Sequence, residues 1–143
     1  RQPDAKALMK KSLRDNHQQS YLISDKGSKF KKIYQDIQPF PWFNKCNLSG
    51  VDIKLINRLI SNHSYDKRWL HRYGKAESEK CEICDVVETA EHIIFNCKKY
   101  EGAKNSYKHM RQLNSVEELW KSQERNAALN EISHFIRQQN IEF

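Results

Sequence analysis

Glycine, proline and long apolar runs are scarce in this sequence. Only four Gly and three Pro occur in 143 residues, while 30% of the residues are charged, and this balance favours helices. No apolar run approaches the ~20 residues needed to cross a bilayer, and the opening RQPDAKALMKK lacks the apolar segment of a secretory signal. We therefore expect an intracellular protein, nuclear or cytoplasmic, without a membrane partner.

Recognisable catalytic motifs are also missing from the sequence. It contains no glycine-rich phosphate loop, no activated serine motif and no paired acidic set that could hold two metal ions. We therefore expect no enzymatic activity and no small-molecule substrate.

Positive charge is present in excess, and it is unevenly distributed. Residues 1–80 carry 17 Lys and Arg against 8 Asp and Glu, whereas residues 81–143 carry 8 against 10. A basic excess is typical of proteins that bind RNA, DNA or another polyanion, although charged residues also solvate ordinary helices. The charge favours nucleic acid as the partner and places the contact in the first half of the chain.

The first 45 residues are predicted to form a basic N-terminal arm with helical segments. Residues 4–22 have a weak helical pattern that predicts an exposed helix. A second helix is predicted to end before Pro39 and to present an apolar face made of Phe30, Ile33, Tyr34 and Ile37.

Residues 46–143 are predicted to form a helical domain. Ser49 and Asp52 have the spacing of a capping box, in which each side chain bonds the other's backbone, at the start of the strongest core helix. A shorter helix follows, with Ser64 as its cap and Gly74 as its stop. The apolar face of the core helix contains Ile53, Ile56, Leu59 and Ile60.

The C-terminal part is also predicted to be helical. Residues 98–113 continue as a helix, and Ser115 with Glu118 forms another capping box. A last amphipathic stripe consists of Leu129, Ile132, Phe135 and Ile136. The predicted fold class is therefore mostly α, a small helical domain.

Residues 81–97 contain the spacing Cys81-x2-Cys84-x7-His92-x4-Cys97. Three thiolates and one imidazole match a closed structural Zn²⁺ site, which leaves no coordination position for water or substrate. The sequence therefore predicts a small helical domain with one CCHC zinc knuckle at residues 81–97. Reduced, buried cysteines with a coincidental histidine are the weaker alternative.

The backbone around these ligands can be predicted too. The first two cysteines belong on a tight turn, and Thr89 starts the helix that contains His92. Because His92 and Cys97 are five residues apart, they cannot share one face of an unbroken α-helix. We expect that helix to end or tighten near Asn96.

Other chemically notable residues have two interpretations each. Cys46 stands alone in sequence, and a lone cysteine more often packs as a small apolar residue than acts as a ligand or nucleophile. His63 either holds a corner between helices or reaches a phosphate. Some aromatic residues belong either to the core or to platforms for unpaired bases, namely Phe40, Trp42, Phe43, Trp69 and Tyr73.

Basic residues before the knuckle are the candidate phosphate contacts. They are proposed as a group because a single lysine on a helix is usually just solvated. The group consists of Lys29, Lys31, Lys32, Arg58, Lys67, Arg68, Arg72 and Lys75.

The stretch from Ile56 to Tyr100 resembles the C-terminal region of the polyprotein of insect-type non-LTR retrotransposons, which follows the reverse transcriptase and RNase H domains. The likeness extends upstream to about residue 27. It is carried by Arg58-Leu59, the corner at His63, Leu70-His71-Arg72, the CEIC pair, Glu88-Thr89 and Glu91-His92 before Cys97.

That resemblance implies an accessory region that binds nucleic acid, without polymerase activity. The family usually has glycine at the position of Asn62, and often a basic residue or glycine at the position of Asp85. An excised C-terminal domain and a host protein built from a captured fragment both fit the sequence. A captured fragment could also serve as a protein-interaction adaptor, in which the helical hairpin and the C-terminal stripe bind a partner and zinc is purely structural.

Overall fold

The computed structural model describes residues 4–143, and these residues are mostly helical, as predicted. The π-helical turn His92–Asn96 and the 3₁₀ turns Lys98–Tyr100 and Met110–Gln112 lie between α-helices, and within the described range the one β contact is an isolated bridge between Lys80 and Val87. The α-helices are α1 (Ala5–Ile23), α2 (Ser28–Ile33), α3 (Gly50–Ser61), α4 (Lys67–Arg72), α5 (Glu101–Lys104), α6 (Val116–Lys121) and α7 (Arg125–Gln138).

Side-chain caps fix where several of these helices start. Ser49 Oγ accepts a hydrogen bond from Asp52 N at 3.2 Å, and Ser115 Oγ accepts one from Glu118 N at 3.1 Å. Both predicted capping serines are confirmed, but the reciprocal halves differ from a capping box. The Asp52 carboxylate pairs with Arg137 of α7, and Glu118 accepts from Asn114 N.

The core lies between α3, the π-helical turn, α6 and α7. The four predicted stripe residues of α7 are 0 to 2% exposed, and three of the four predicted face residues of α3 are equally buried. The π-helical turn adds Ile93, Ile94 and Phe95 to the same cluster. The segment that contains His92 is therefore part of the core, not an appendage to it.

Three local predictions were wrong. α2 ends at Ile33, because Tyr34 is already extended, so Ile37 lies outside the helix and is 44% exposed. Residues 98–113 are broken into short turns instead of one helix. Asp66, not Ser64, caps α4: its Oδ1 accepts from Trp69 N, while Ser64 Oγ donates to its Oδ2.

The first 45 residues are partly attached to the helical domain. No described residue of α1 is buried, which agrees with the predicted exposed helix. α2, in contrast, packs against α3 and α6, and Tyr34 Oη accepts a 2.6 Å hydrogen bond from Trp120 Nε1. Since contacts run across residue 45, a domain boundary at that point stays a prediction.

No α-helix within residues 4–143 combines the length and the apolar character that crossing a membrane requires.

Candidate metal centre and the adjoining basic groove

Cys81 and Cys84 lie on one tight turn. Asp85 N donates to Cys81 O at 2.9 Å, and Cys81 N donates to Val86 O at 2.8 Å. Asp85 has φ 54°, a left-handed conformation that glycine adopts most easily and that Asp tolerates better than most residues. This conformation turns the chain back immediately after Cys84, so that Lys80 and Val87 face each other.

His92 and Cys97 come from a helical segment that starts at Thr89 and widens. Thr89 Oγ1 accepts from His92 N at 3.0 Å, as a helix cap does. Cys97 N then donates to His92 O at 2.7 Å, a bond that spans five residues. The helix ends at Asn96, as predicted, but it widens into a π turn instead of tightening. Single π turns of this kind are frequent at functional sites.

The ligand atoms of Cys81, Cys84, His92 and Cys97 all lie within 4.8 Å of one another. Cys81 Sγ and Cys97 Sγ are 3.8 Å apart, too far for a disulfide. Two sulfurs bound at ~2.3 Å to one tetrahedral Zn²⁺ would lie about 3.8 Å apart. The four side chains could therefore hold one metal ion without a large rearrangement.

The polar atoms of the cluster also fit a bound cation. His92 is 8% exposed, and its buried Nε2 has no hydrogen-bond partner in the part of the chain that the structure describes. A buried imidazole nitrogen without a partner costs free energy, and coordination of a cation would remove that cost. Lys98 N lies 3.4 Å from Cys84 Sγ, where an N–H stabilises a thiolate.

Burial and hydrogen bonding act differently on the titratable groups of the cluster. Burial raises the pKa of Cys81, but hydrogen bonds from the backbone N–H groups of Cys84 and Ile83 offset this and leave that pKa lowered. Burial, with a smaller contribution from the neighbouring Cys81, raises the pKa of Cys97 to about 12. Burial also lowers the pKa of His92, which favours the neutral imidazole that binds metals.

Asp66 joins the cysteine-histidine cluster to α4. Its carboxylate is completely buried, and it accepts hydrogen bonds from Trp69 N in α4 and from Ala90 N beside His92, both at 3.1 Å. Arg68 adds an ion pair to the same carboxylate at 3.4 Å. One buried carboxylate thus fixes α4 relative to the predicted metal ligands. We did not identify Asp66 from the sequence, where it is simply an aspartate before a short helix.

The predicted phosphate contacts fall into two groups. Four of them are paired with carboxylates: Lys29 with Glu91, Lys32 with Glu117, Lys67 with Glu82 and Arg68 with Asp66. The other four have no Asp or Glu partner within residues 4–143, and they are Lys31, Arg58, Arg72 and Lys75. Arg58 nevertheless donates a hydrogen bond to Phe143 O, and Lys31 donates one to Ser24 O.

Two of these four cations, Arg58 and Lys75, line two adjoining depressions on the α3 and α4 side. The first, which we term the basic groove, has a volume of about 710 Å³ and is lined by Phe30, Lys54, Asn57, Arg58, Ser61 and His63, among others. The second, the aromatic pocket, measures about 250 Å³ and is lined by Arg58, His63, Tyr65, Trp69, Tyr73 and Lys75.

Both depressions are basic: Lys54, Arg58 and Lys75 line them, and no acidic side chain of the described residues lines either one. Lys54 belongs to the basic groove although we did not predict it as a contact. Its position one helical turn before Arg58 is the sequence signal that would have identified it.

The corner between α3 and α4 is fixed by Asn62 and His63. Asn62 caps α3 with φ 62°, which explains why glycine suits this position as well. Its carbonyl oxygen accepts from Trp69 Nε1 at 2.6 Å and from Arg68 Nη2 at 2.9 Å. The His63 ring stacks on Trp69 with centroids 4.4 Å apart, so His63 shapes the corner and also lines both depressions.

The remaining predicted residues lie apart from the metal cluster. Cys46 is partly buried against the core, with its Sγ 3.3 Å from Asn126 Oδ1, as expected of a packing residue. Trp42 packs on Trp120 and donates to Asn57 Oδ1 at 2.8 Å. Phe40 is 66% exposed and lies with Phe43 at a third depression, near Tyr21, which shares Phe30 and Asn57 with the basic groove.

Comparison with known proteins gives one informative relative. The chain is 26% identical over 88 residues to the Retrovirus-related Pol polyprotein from type-1 retrotransposable element R1 2 of Nasonia vitripennis. The matched part is 62% of this chain and 20% of the polyprotein, so the chain spans about a fifth of the relative's length. No model of a known protein family and no solved structure matches. The chain is a weak homologue of a retrotransposon Pol polyprotein.

Proposed function

We propose that this chain is a zinc-stabilised, non-catalytic module that binds single-stranded RNA or DNA through its basic groove. The observation that carries the proposal is the lining of the groove and the aromatic pocket. Lys54, Arg58 and Lys75 line them, and no acidic side chain of the described residues lines either one. Binding of phosphates needs such a surface, because each neutralised phosphate releases counterions.

The metal in this proposal is one Zn²⁺, held by Cys81, Cys84, His92 and Cys97. Three sulfurs and one nitrogen form a donor set that suits zinc and selects against hard cations such as Mg²⁺. Four protein ligands leave no position for water or substrate, which supports a structural role. When bound, the ion fixes the loop at residues 81–97. Asp66 then holds α4 against that loop, because it accepts hydrogen bonds from both Ala90 N and Trp69 N.

The weak relationship to a retrotransposon Pol polyprotein also supports the proposal. A Pol polyprotein acts on nucleic acid, and the net charge of +7 in this chain suits the same kind of partner. Among the predicted contacts, Lys31, Arg58, Arg72 and Lys75 would meet phosphates without leaving an acidic side chain, although Arg58 and Lys31 each donate to a backbone oxygen. Lys29, Lys32, Lys67 and Arg68 would do so only after leaving their carboxylate partners.

Fluorescence anisotropy with the zinc-loaded protein tests this function. Labelled single-stranded RNA, single-stranded DNA and duplex DNA are compared at two salt concentrations. We expect binding in the micromolar range or tighter to the single strands, with an affinity that falls steeply as salt rises. No binding to any of the three would contradict the proposal.

Two charge-reversal variants locate the binding surface. Lys54→Glu with Lys75→Glu should weaken binding about tenfold or more and reduce the magnitude of the salt slope by about 1.4, at ~0.7 per single-strand phosphate contact. Lys6→Glu with Lys10→Glu is the matched control, since it makes the same charge change on the exposed helix α1. A larger loss in the control would move the site to the N-terminal arm.

A protein-interaction adaptor is the second candidate function, and α1 favours it. Leu8, Met9 and Leu13 are each more than half exposed on a helix that buries nothing among its described residues. The C-terminal stripe cannot serve as the docking face, because it is buried in the core. If no nucleic acid binds, α1 and the surface of α4 are the places to look for a protein partner.

A further inference from the structure

Three aromatic rings are stacked in series beside the basic groove. His63 and Trp69 have ring centroids 4.4 Å apart at an interplanar angle of 22°, and Trp69 and Tyr73 have centroids 6.0 Å apart at 18°. The guanidinium group of Arg72 lies 5.3 Å from the centre of the Trp69 ring. This series of rings is fixed by the α3 and α4 corner, since Trp69 Nε1 is bonded to Asn62 O.

The outer end of the series is open to solvent. Tyr73 is 68% exposed and Tyr65, across the same pocket, is 57% exposed. Arg58 lies 5.3 Å from the centre of the Tyr65 ring, so this second ring is also held beside a cation. Exposed aromatic rings next to cationic side chains are the combination that recognises unpaired bases.

The size of the aromatic pocket limits what it can take. Its volume of about 250 Å³ lies below the roughly 300–1,000 Å³ of pockets that enclose a whole small ligand. A flat ring whose remaining atoms stay outside fits such a space. A nucleic-acid strand offers that shape, because a single base can turn inward while its phosphates follow the cations outside.

We propose that the aromatic pocket receives one unpaired base, which stacks on Tyr73 while the neighbouring phosphates pair with Arg72 and Lys75. This inference rests on the proposed function and adds to it a contact that depends on the base and not on charge. It also excludes paired bases, because a base within a duplex is already stacked on both faces.

The test compares two single strands of equal charge, each of about 12 nucleotides, a length within the site sizes of single-strand binders. One is a thymidine strand and the other is an abasic strand with the same number of phosphates. Tyr73→Ala should weaken binding of the thymidine strand by at least about fivefold and leave binding of the abasic strand unchanged. Anisotropy measures both affinities.

Three controls make the outcomes decisive. Tyr73→Phe keeps the ring and should retain the affinity for thymidine. Leu13→Ala removes an apolar side chain that is similarly exposed but lies on α1, away from both depressions, and it should change neither affinity. Circular dichroism verifies that each variant is folded, which is expected because Tyr73 is mostly exposed.

Each result then has one meaning. An equal effect of Tyr73→Ala on both strands, or no effect on either, overturns the base pocket but leaves the basic groove as the binding surface if the wild-type protein still binds both strands. No binding of either strand by the wild-type protein overturns the base pocket and the proposed function together.

Discussion

The loop from residue 75 to residue 88, which precedes the π turn, and the group formed by α3, α6 and α7 differ in how they bury apolar side chains. In the helical group, Ile56, Leu119 and Phe135 are completely buried. In the loop before the π turn, Ile83 is 60% exposed, Val86 48% and Val87 40%. Apolar burial therefore stabilises the helical group, whereas the loop is held by turn hydrogen bonds, by polar contacts with the α4 segment and by its candidate metal ligands.

This difference in apolar burial gives the proposed metal ion a stabilising role in the loop. A loop whose apolar residues face solvent gains little from the hydrophobic effect, yet its residues lose conformational entropy when they become ordered. Four bonds to one ion can offset that entropy. The same loop runs into Ile93, Ile94 and Phe95 of the core, so order in the loop and order in the core are connected.

Of the changes that test this comparison, metal removal should lower the stability of the folded chain most. Chelation, or Cys84→Ser, should remove stability comparable to that of a whole domain, roughly 5–15 kcal/mol, because structural zinc contributes its binding free energy to folding. Thermal unfolding followed by circular dichroism would show a large fall in Tm or no folded state.

Cys46→Ser is the matched control for that experiment. It makes the same chemical change at a cysteine that lies outside the cluster and only packs against the core. It should lower Tm much less than Cys84→Ser. Unchanged melting after chelation and in Cys84→Ser would contradict a structural metal.

Truncation of a core side chain should cause the next largest loss of stability. The same truncation in the loop should cost much less. Ile132→Ala removes a completely buried side chain of α7 and should cost about 2–5 kcal/mol, whereas Ile83→Ala in the exposed part of the loop should cost less than about 0.5 kcal/mol. Denaturant unfolding gives both values. Metal content should stay at one ion per folded chain in both variants. If Ile83→Ala is as costly as Ile132→Ala, the loop is held by apolar contacts after all.

The helical group was largely predictable because periodicity reports burial. The face of α3 and the stripe of α7 are set by apolar spacing, and the serine caps Ser49 and Ser115 follow from local chemistry. The segment from residue 98 to residue 113 could not be predicted from the sequence, because the breaks between its short turns depend on tertiary contacts. Glu131 of α7, for example, accepts from Met110 N at 2.7 Å and stabilises a 3₁₀ turn there.

The candidate site was predictable only where its residues are close in sequence. The grouping of Cys81, Cys84, His92 and Cys97 follows from their spacing, and the structure brings them together. The widened turn before Cys97 does not follow, since five residues can also be spanned by a tightened turn. Pairing of cations could not be predicted either: Lys29 meets Glu91, which is 62 residues away.

Asp66 contacts both α4 and the end of the loop, and its substitution should lower stability less than metal removal or core truncation does. Asp66→Asn keeps the size of the side chain but replaces one acceptor by an NH₂ group among four donors, and it should cost about 1–3 kcal/mol. Asp25→Asn, at an exposed turn, is the control and should be nearly neutral. Metal affinity should fall with stability in Asp66→Asn, because the displaced Ala90 N–H lies next to the segment of His92. If stability falls while metal affinity does not change, α4 and the loop are independent of each other, and Asp66 only caps a helix.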